Sequence, residues 1–420
     1  MPCGSPATGT GCMDGENYLL IVVFPIRQST NQTVRRSMPL FSTPEISSDV
    51  RITRITYVEV TGKSPKMIGK NAVKDDHGDT NRERLVRVFT NSGLEGFGVT
   101  RATADAIEAE TPNALGVNPA SLVDAVQGIT LRGIEHALWD LIGKITGKPV
   151  YALLGASCRD TIDAYDGGLY FCDLVYPELG LARVEQEAVE SLAQGHRAIK
   201  MKIGRGHKWM PPEEGFSRDV DAIRLVRKTI GPDIKLMVDG NNGFDEAGAE
   251  RLLEAVGDQD IYWAEEMFPE TIEDYTKFRA FLDRNDLKTL IADGETLAEP
   301  SPLYPFIEQH LIDVVQLDTK RIGLSAWWRL AAFSQVHDRL CAPHTWGSRF
   351  AVYVTAHLGK VIPNFLSDEI PAYDPDAYHP TGFTFKDGAY TLSDMPGWGL
   401  EIDEQVYQSK YARIERHWEI

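Results

Sequence analysis

Cysteine is scarce in this chain of 420 residues: Cys3, Cys12, Cys158, Cys172 and Cys341, odd in number and widely scattered. Such thiols do not make a disulfide framework, and they fit a reducing compartment, so a cytoplasmic location is expected. Basic residues are also in short supply. Lys and Arg total 43 against 61 Asp and Glu, for a net charge of −18. Nucleic acid is excluded as a partner, because phosphate binding needs a basic face. Long hydrophobic runs are missing too. The run near the start, Tyr18 to Ile26, is too short to span a bilayer. Asp14 and Glu16 precede it where a secretory signal would carry positive charge, so no membrane association is expected. There is no internal repeat. Low-complexity character is confined to residues 1–49, rich in Ser, Thr, Pro and Gly, which read as a partly disordered leader with Met38 as a candidate start.

What is present is a globular composition, 43% apolar, with two kinds of pattern in succession. Strand-like alternation covers 52–60, 85–90 and 94–99, with a polar loop over 61–80 and a turn at Asn91-Ser92-Gly93. A helical region is expected over 119–147. This makes a small α+β unit over 50–160. From residue 161 to about 360, strands alternate with helices expected at 183–194, 216–229, 246–256, 272–283, 302–310, 325–337 and 348–358. Alternation of that length implies a parallel sheet and an α/β fold. Residues 361–420 hold two short strand-like pieces and are expected to return to the first unit.

Six segments within the alternating region end on residues capable of acid–base or metal chemistry: Lys202, Asp239, Glu265, Glu295, Asp318 and His344. The steps between them are 37, 26, 30, 23 and 26 residues. Each step accommodates a strand, a helix and two loops. One polar residue at the end of each successive strand is how a β/α barrel assembles an active site on one face.

Asp239, Glu265 and Glu295 fall on three consecutive strands. Any one of them alone would be read as a helix cap or a solvated strand end. Three converging carboxylates repel unless a cation lies between them. Oxygen ligands without Cys or His favour Mg²⁺ first and Mn²⁺ second, and argue against zinc. Asn241 and Glu266 are candidates to orient these ligands. Lys200 and Lys202 are two apart on a strand, so both side chains point to one face. Ile199, Met201 and Ile203 require the helix-covered face, which leaves the lysines inside the barrel. Burial and the neighbouring Lys200 are expected to depress Lys202 and make it a base near neutral pH, with Lys200 holding a substrate carboxylate. Asp318 can fix the tautomer of His344 and raise its basicity. Lys320 and Arg321 follow closely and are candidate pocket residues. The assembled set suits removal of a proton α to a carboxylate. Reprotonation from the other face then gives racemisation, and loss of a β-hydroxyl gives a 2-keto acid.

The segments Lys200-Met201-Lys202, Asp239-Gly240-Asn241, Trp263-Ala264-Glu265-Glu266, Gly294-Glu295, Asp318 and Pro343-His344, with the stretches 137–144 and 147–155, resemble the enolase superfamily, mandelate racemase subgroup. The resemblance covers about residues 50–400. It implies an α+β capping domain at 50–160 over a (β/α)7β modified TIM barrel at 161–360. It implies Mg²⁺ on Asp239, Glu265 and Glu295, with Lys202 as one base and the His344–Asp318 dyad as the other. It implies a late glutamate that polarises the substrate carboxylate, for which Glu369 is the candidate beside Asp368. It also implies a lid from the 61–80 loop, where Lys63, Lys66, Lys70 or His77 reach the distal end of the substrate. A homo-oligomer, dimer or octamer, is expected. Two departures stand out: Met267 replaces a common proline, and a long basic loop follows Gly204. The expected activity is dehydration of a sugar acid, an aldonate or aldarate, to a 2-keto-3-deoxy acid. Racemisation or epimerisation of a 2-hydroxy acid ranks second, and a non-catalytic binding barrel third.

Overall fold

The computed structural model describes residues 40–420. Most of the leader, including Tyr18 to Ile26 and Met38, lies outside the described residues. Of the remainder, Phe41 is buried, its ring 5.8 Å from Trp139 and its amide donating to the Ala125 carbonyl at 2.9 Å.

The first unit is an antiparallel sheet of β1 (Ile52–Ile68), β2 (Gly78–Thr90) and β3 (Glu95–Thr100). β1 runs eight residues beyond the strand expected at 52–60, into the expected polar loop. The extension is held because Gly62 and Lys63 pair with Asn81 and Thr80 on one side and Pro375 and Asp374 on the other. The true loop is 69–77. Of the helical region expected over 119–147, a single 3-10 turn at Pro119–Leu122 and α1 (Glu135–Thr146) are helical. Upstream, the Asp124 side chain accepts from the amides of Val126 and Gln127, and Gly128 takes a positive φ of 70°, so a turn replaces helix. α1 lies directly on β3. A Cβ on Gly96 would sit 2.3 Å from the Ala137 carbonyl oxygen, so glycine there permits the close contact.

The barrel strands are β4 (Thr161–Leu169), β5 (Ala198–Lys202), β6 (Lys235–Asp239), β7 (Ile261–Glu265), β8 (Leu290–Asp293), β9 (Val314–Val315), β10 (Leu340–Cys341) and β11 (Asp368–Ile370). Each pairs in parallel with its neighbour, and β11 pairs with β4. A bridge from Cys341 to Phe365 completes the ring. Seven helical connections lie between these strands: α2 (Leu181–Ala193), α3 (Pro212–Ile230), α4 (Glu246–Val256), α5 (Ile272–Arg284), α6 (Tyr304–Glu308), α7 (Thr319–Val336) and α8 (Arg349–Val361). This is the expected (β/α)7β barrel. α7 starts earlier than expected and bends at Gly323, whose φ of 77° departs from helix.

Inside the barrel, Tyr165, Ala198, Met237, Trp263, Ala292, Val314 and Ala342 form an apolar plug. The polar residues one step further along the strands therefore gather above it. The C-terminal segment divides. Asp374–Pro375 and Arg416–Glu419 pair with β1 of the first sheet, whereas the hairpin Phe383–Lys386 and Ala389–Leu392 adds to β4. Among the described residues, no helix is long and apolar enough to cross a membrane.

Candidate active site

Strand register assembles the centre. Lys202 is level with Asp239, and Asp239 with Glu265, across three adjacent strands. Glu295 follows β8 after Gly294, whose φ of 120° turns the chain at the rim. One oxygen from each of Asp239, Glu265 and Glu295 can lie within 4.8 Å of the others. The set fits a hard divalent cation: the ligands are all oxygens, and Glu295 Oε2, buried beside the His344 ring at 3.2 Å, accepts no well-formed hydrogen bond. Trp263 Nε1 donates to Glu265 Oε2 at 3.1 Å and Gln316 Nε2 to the same oxygen at 2.9 Å. Neither contact was evident from sequence. Asn241 donates its amide to Asp239 Oδ1 at 3.0 Å, and its side chain lies 3.5 Å from Glu295 Oε1. Its observed contacts are thus to the carboxylate set.

Both lysines point into the barrel and are almost fully buried, at 1% and 4% exposure. Lys200 Nζ lies 2.5 Å from Glu265 Oε1, 3.0 Å from Glu369 Oε1 and 3.3 Å from Asp239 Oδ2. Lys202 pairs with Asp239. The expectation of a depressed Lys202 is corrected here. Burial is the largest influence and pushes it down, but Asp239, with Tyr170 and Glu295, together outweigh it and the pKa is raised. For Asp239, burial acts upward and Lys202 and Lys200 act downward more strongly, so it is held well below the usual carboxylate range. Glu265 moves the other way: burial and the charges of Asp239 and Glu295 raise it despite Lys200.

His344 and Asp318 meet across the far side. A parallel bridge joins them, and Nδ1 lies 3.2 Å from Asp318 Oδ2. Nε2 faces Glu295 Oε2 at 3.2 Å. Burial lowers His344, but Glu295, Glu369 and Asp318 outweigh it and raise its pKa. Asp318 is held low: burial acts upward, and Lys320 and His344 act more strongly downward. A further cation, Arg101 from the end of β3, reaches Asp318 Oδ2 at 3.0 Å. It is 217 residues away in sequence, and no local pattern announces it.

Lys320 also approaches Asp318, at 3.7 Å, and donates to the Trp346 carbonyl at 2.8 Å. Arg321 reaches the Thr296 carbonyl at 3.3 Å. Alternation on β11 separates Asp368 and Glu369. Asp368 accepts from Thr355 Oγ1 at 2.5 Å outside the barrel, whereas Glu369 faces Lys200. Glu369 Oε2 accepts from the Thr345 and Trp346 amides at 3.0 and 3.1 Å. Burial raises Glu369, but Lys200 and His344 outweigh it and hold it down at about 2. His77 packs edge-on against Tyr170 and Trp346, at 4.9 and 4.8 Å between centroids. Burial pushes it down to about 4, so its ring is neutral. Lys66 and Lys70 are turned to structural pairs with Glu187 and Asp75. In the basic loop after Gly204, Arg205 is buried between Asp173 and Asp219, each at 2.7 Å, which takes it away from any substrate.

A family model described as enolase C-terminal domain-like matches residues 183–406. The chain belongs to the enolase superfamily. This superfamily member is similar to a D-galactonate dehydratase family member from Streptomyces bingchenggensis, 26% identical over 383 residues, covering 79% of this chain and 91% of that protein. Among solved structures, it is similar to a mutant galacturonate dehydratase from a Geobacillus species, complexed with Mg. Identity is 27%, TM-score 0.82, and the match covers 93% of this chain and 100% of the other. It is likewise similar to galacturonate dehydratase from a Geobacillus species bound to D-galacturonate and 5-keto-4-deoxy-D-galacturonate. There identity is 28%, TM-score 0.81, and coverage 89% and 100%.

Proposed function

We propose that this superfamily member is a divalent-metal-dependent dehydratase of a sugar acid. The observation that carries the reading is the disposition of two proton-handling groups, Lys202 Nζ and His344 Nε2, on strands β5 and beyond β10, with the carboxylate set between them. Similarity to dehydratases of sugar acids supports the same choice.

Asp239, Glu265 and Glu295 would hold Mg²⁺, or Mn²⁺ in second place. The cation would supply positive charge where negative charge develops on the substrate carboxylate. Lys202 Nζ takes the proton from the carbon α to that carboxylate. It can do so only when Asp239 is engaged elsewhere, because burial and Lys200 then favour the neutral amine. The electron pair left by the proton forms a double bond to the carboxylate carbon. It then shifts to expel the β-hydroxyl, which takes a proton from His344 Nε2. Water leaves, and the enol product tautomerises to a 2-keto-3-deoxy acid. The pKa of His344 is raised by Glu295, Glu369 and Asp318 against burial, a direction that suits this acid role. Asp318 keeps Nδ1–H oriented. Glu369, held ionised, fixes Lys200 and the turn at 345–346.

The test is incubation of the Mg²⁺-loaded enzyme with a panel of aldonates, aldarates and uronates, followed by semicarbazide detection of keto acid. Keto acid from at least one substrate is expected. Exchange of the α-proton into D₂O with no keto acid from any substrate would favour racemisation, the second reading that the same two bases allow.

A further inference from the structure

The basic loop after Gly204 has no task in the reaction as proposed. Its base is firmly fixed. Asp219 on α3 accepts the amides of Gly204 and Arg205 at 2.9 and 3.1 Å, and the buried Arg205 guanidinium spans Asp219 and Asp173. That guanidinium also lies 4.4 Å from the centroid of the Phe171 ring. From this base the loop reaches across to the first unit. Trp209 Nε1 donates to the Asn71 carbonyl at 2.6 Å, and Lys208 Nζ to the Val73 carbonyl at 3.1 Å. The Lys70 ammonium lies 4.7 Å from the centroid of a Trp209 ring.

The segment so held is the tip of the 69–77 loop. Asn71 Oδ1 accepts the amides of Val73 and Lys74 at 3.1 and 2.7 Å, which makes the tip a compact turn. Ala72 is buried at its apex. It seats against two glycines at the barrel rim. A Cβ on Gly204 would lie 2.8 Å from Ala72 Cβ, and one on Gly243 2.5 Å from it. Gly204 comes just after Lys202 on β5, and Gly243 just after Asp239 on β6, so the tip closes over the rim where that ion pair stands. The flanks of the loop reach the wall beside Lys202. The Lys70 carbonyl accepts the Phe171 amide at 3.0 Å, His77 packs on Tyr170, and Lys202 Nζ lies 5.3 Å from the Tyr170 ring.

We propose that Trp209 is a positioning residue, a latch that holds the 69–77 loop shut over the Lys202 side of the site. The inference rests on the sugar-acid reading of that site. The turn's own hydrogen bonds keep its shape and do not attach it to the barrel. Trp209 and Lys208 attach it, together with the glycine seat. Loss of the latch leaves the proton-handling groups where they are and shifts the balance between closed and open loop. With substrate bound by the closed form alone, apparent affinity falls with the closed fraction, and saturating substrate restores closure. KM therefore moves and kcat does not.

The test combines hydrogen–deuterium exchange with steady-state kinetics in wild type, Trp209→Phe and Ala72→Leu. Trp209→Phe keeps a ring for Lys70 but has no N–H to give Asn71, and Ala72→Leu is too large for the glycine seat. Both are expected to speed exchange across residues 69–77 about tenfold, with exchange over 52–60 of β1 unchanged. Both are expected to raise KM for a responsive sugar acid about tenfold, with kcat within a factor of about two. A residue that merely packs the rim would lower Tm and leave both loop exchange and KM unmoved. That result, or a fall in kcat at fixed KM, overturns the proposal and leaves the dehydratase reading standing. If no sugar acid turns over, the dehydratase reading falls. Exchange then decides the latch alone, because unchanged exchange over 69–77 in Trp209→Phe refutes it.

Discussion

Lys202 and Asp239 face each other on adjacent parallel strands, in register, and form an ion pair buried in the barrel. The lysine proposed as a base thus occupies the charge of a proposed metal ligand. Base and cation compete for the same carboxylate, and the competition has a sign. Lys202→Met should bind Mg²⁺ about tenfold more tightly than wild type, because a cation next to the site is gone. It should also lose turnover. Isothermal titration calorimetry measures the first and the keto-acid assay the second. Unchanged or weaker Mg²⁺ binding would show that the pair is irrelevant to the metal.

Glu265 carries a heavy electrostatic load, being raised by burial and by its two neighbours. A divalent cation relieves that load, so it should stabilise the fold. At Mg²⁺ concentrations about 100-fold above Kd, wild type should gain about 2.7 kcal/mol. Glu265→Gln should gain little. Thermal unfolding with and without EDTA reads the difference. A gain of similar size in both proteins would place the cation elsewhere.

Asp318 lies 3.2 Å from Nδ1 of His344 and, after Glu295 and Glu369, helps to raise its pKa against burial. Asp318→Asn removes that support while leaving the carboxylate set intact. The expected loss in kcat is about 10²–10⁴-fold, the range for a displaced acid–base group. Mg²⁺ affinity should stay within a factor of about three. The limb of the pH–rate profile that reports His344 should shift to lower pH. An unmoved limb would assign the titration to another group.

The proposed catalytic face was legible because barrel geometry turns sequence spacing into position. Asp239, Glu265 and Glu295 needed only strand order to converge, and the Lys200–Lys202 spacing was enough to point both inward. Glu369 became distinguishable from Asp368 only when β11 supplied the alternation. The charge state of Lys202 was misjudged because cross-strand register was left out. Lys202 sits level with Asp239, so its nearest neighbour is an anion as well as the Lys200 cation. Contacts between distant segments were not legible at all. Arg101 on Asp318, Gln316 on Glu265 and the pairing of residues 374–375 with β1 join pieces that share no local pattern. The prolongation of β1 was hidden by polar composition, since a strand edge exposed to solvent needs few apolar residues.

Two buried histidines give the fold a pH-sensitive component apart from the site. His357 accepts the Tyr151 amide on Nδ1 and donates Nε2–H to the Trp398 carbonyl, both at 3.1 Å. Both nitrogens are committed in the neutral ring, and burial holds its pKa at about 4. His136 is likewise held at about 4 by burial. In the unfolded chain both titrate near 6.5, so between pH 6.5 and 4 the unfolded state binds more protons. Stability from these groups is therefore full above pH 6.5 and lost as pH falls, by up to about 3 kcal/mol each. Denaturant unfolding at pH 7.5 and 5 should show a smaller pH dependence in His357→Gln than in wild type. Parallel dependences would remove His357 from the account.

The central claim is that this site removes an α-proton and expels a β-hydroxyl from a sugar acid. The most direct measurement is NMR of the Mg²⁺-loaded enzyme turning over a responsive sugar acid in D₂O. The account predicts a 2-keto-3-deoxy acid formed in step with substrate loss, and no such product with Lys202→Ala. Deuterium entering the α-position without any keto acid, or keto acid formed equally by Lys202→Ala, would contradict it.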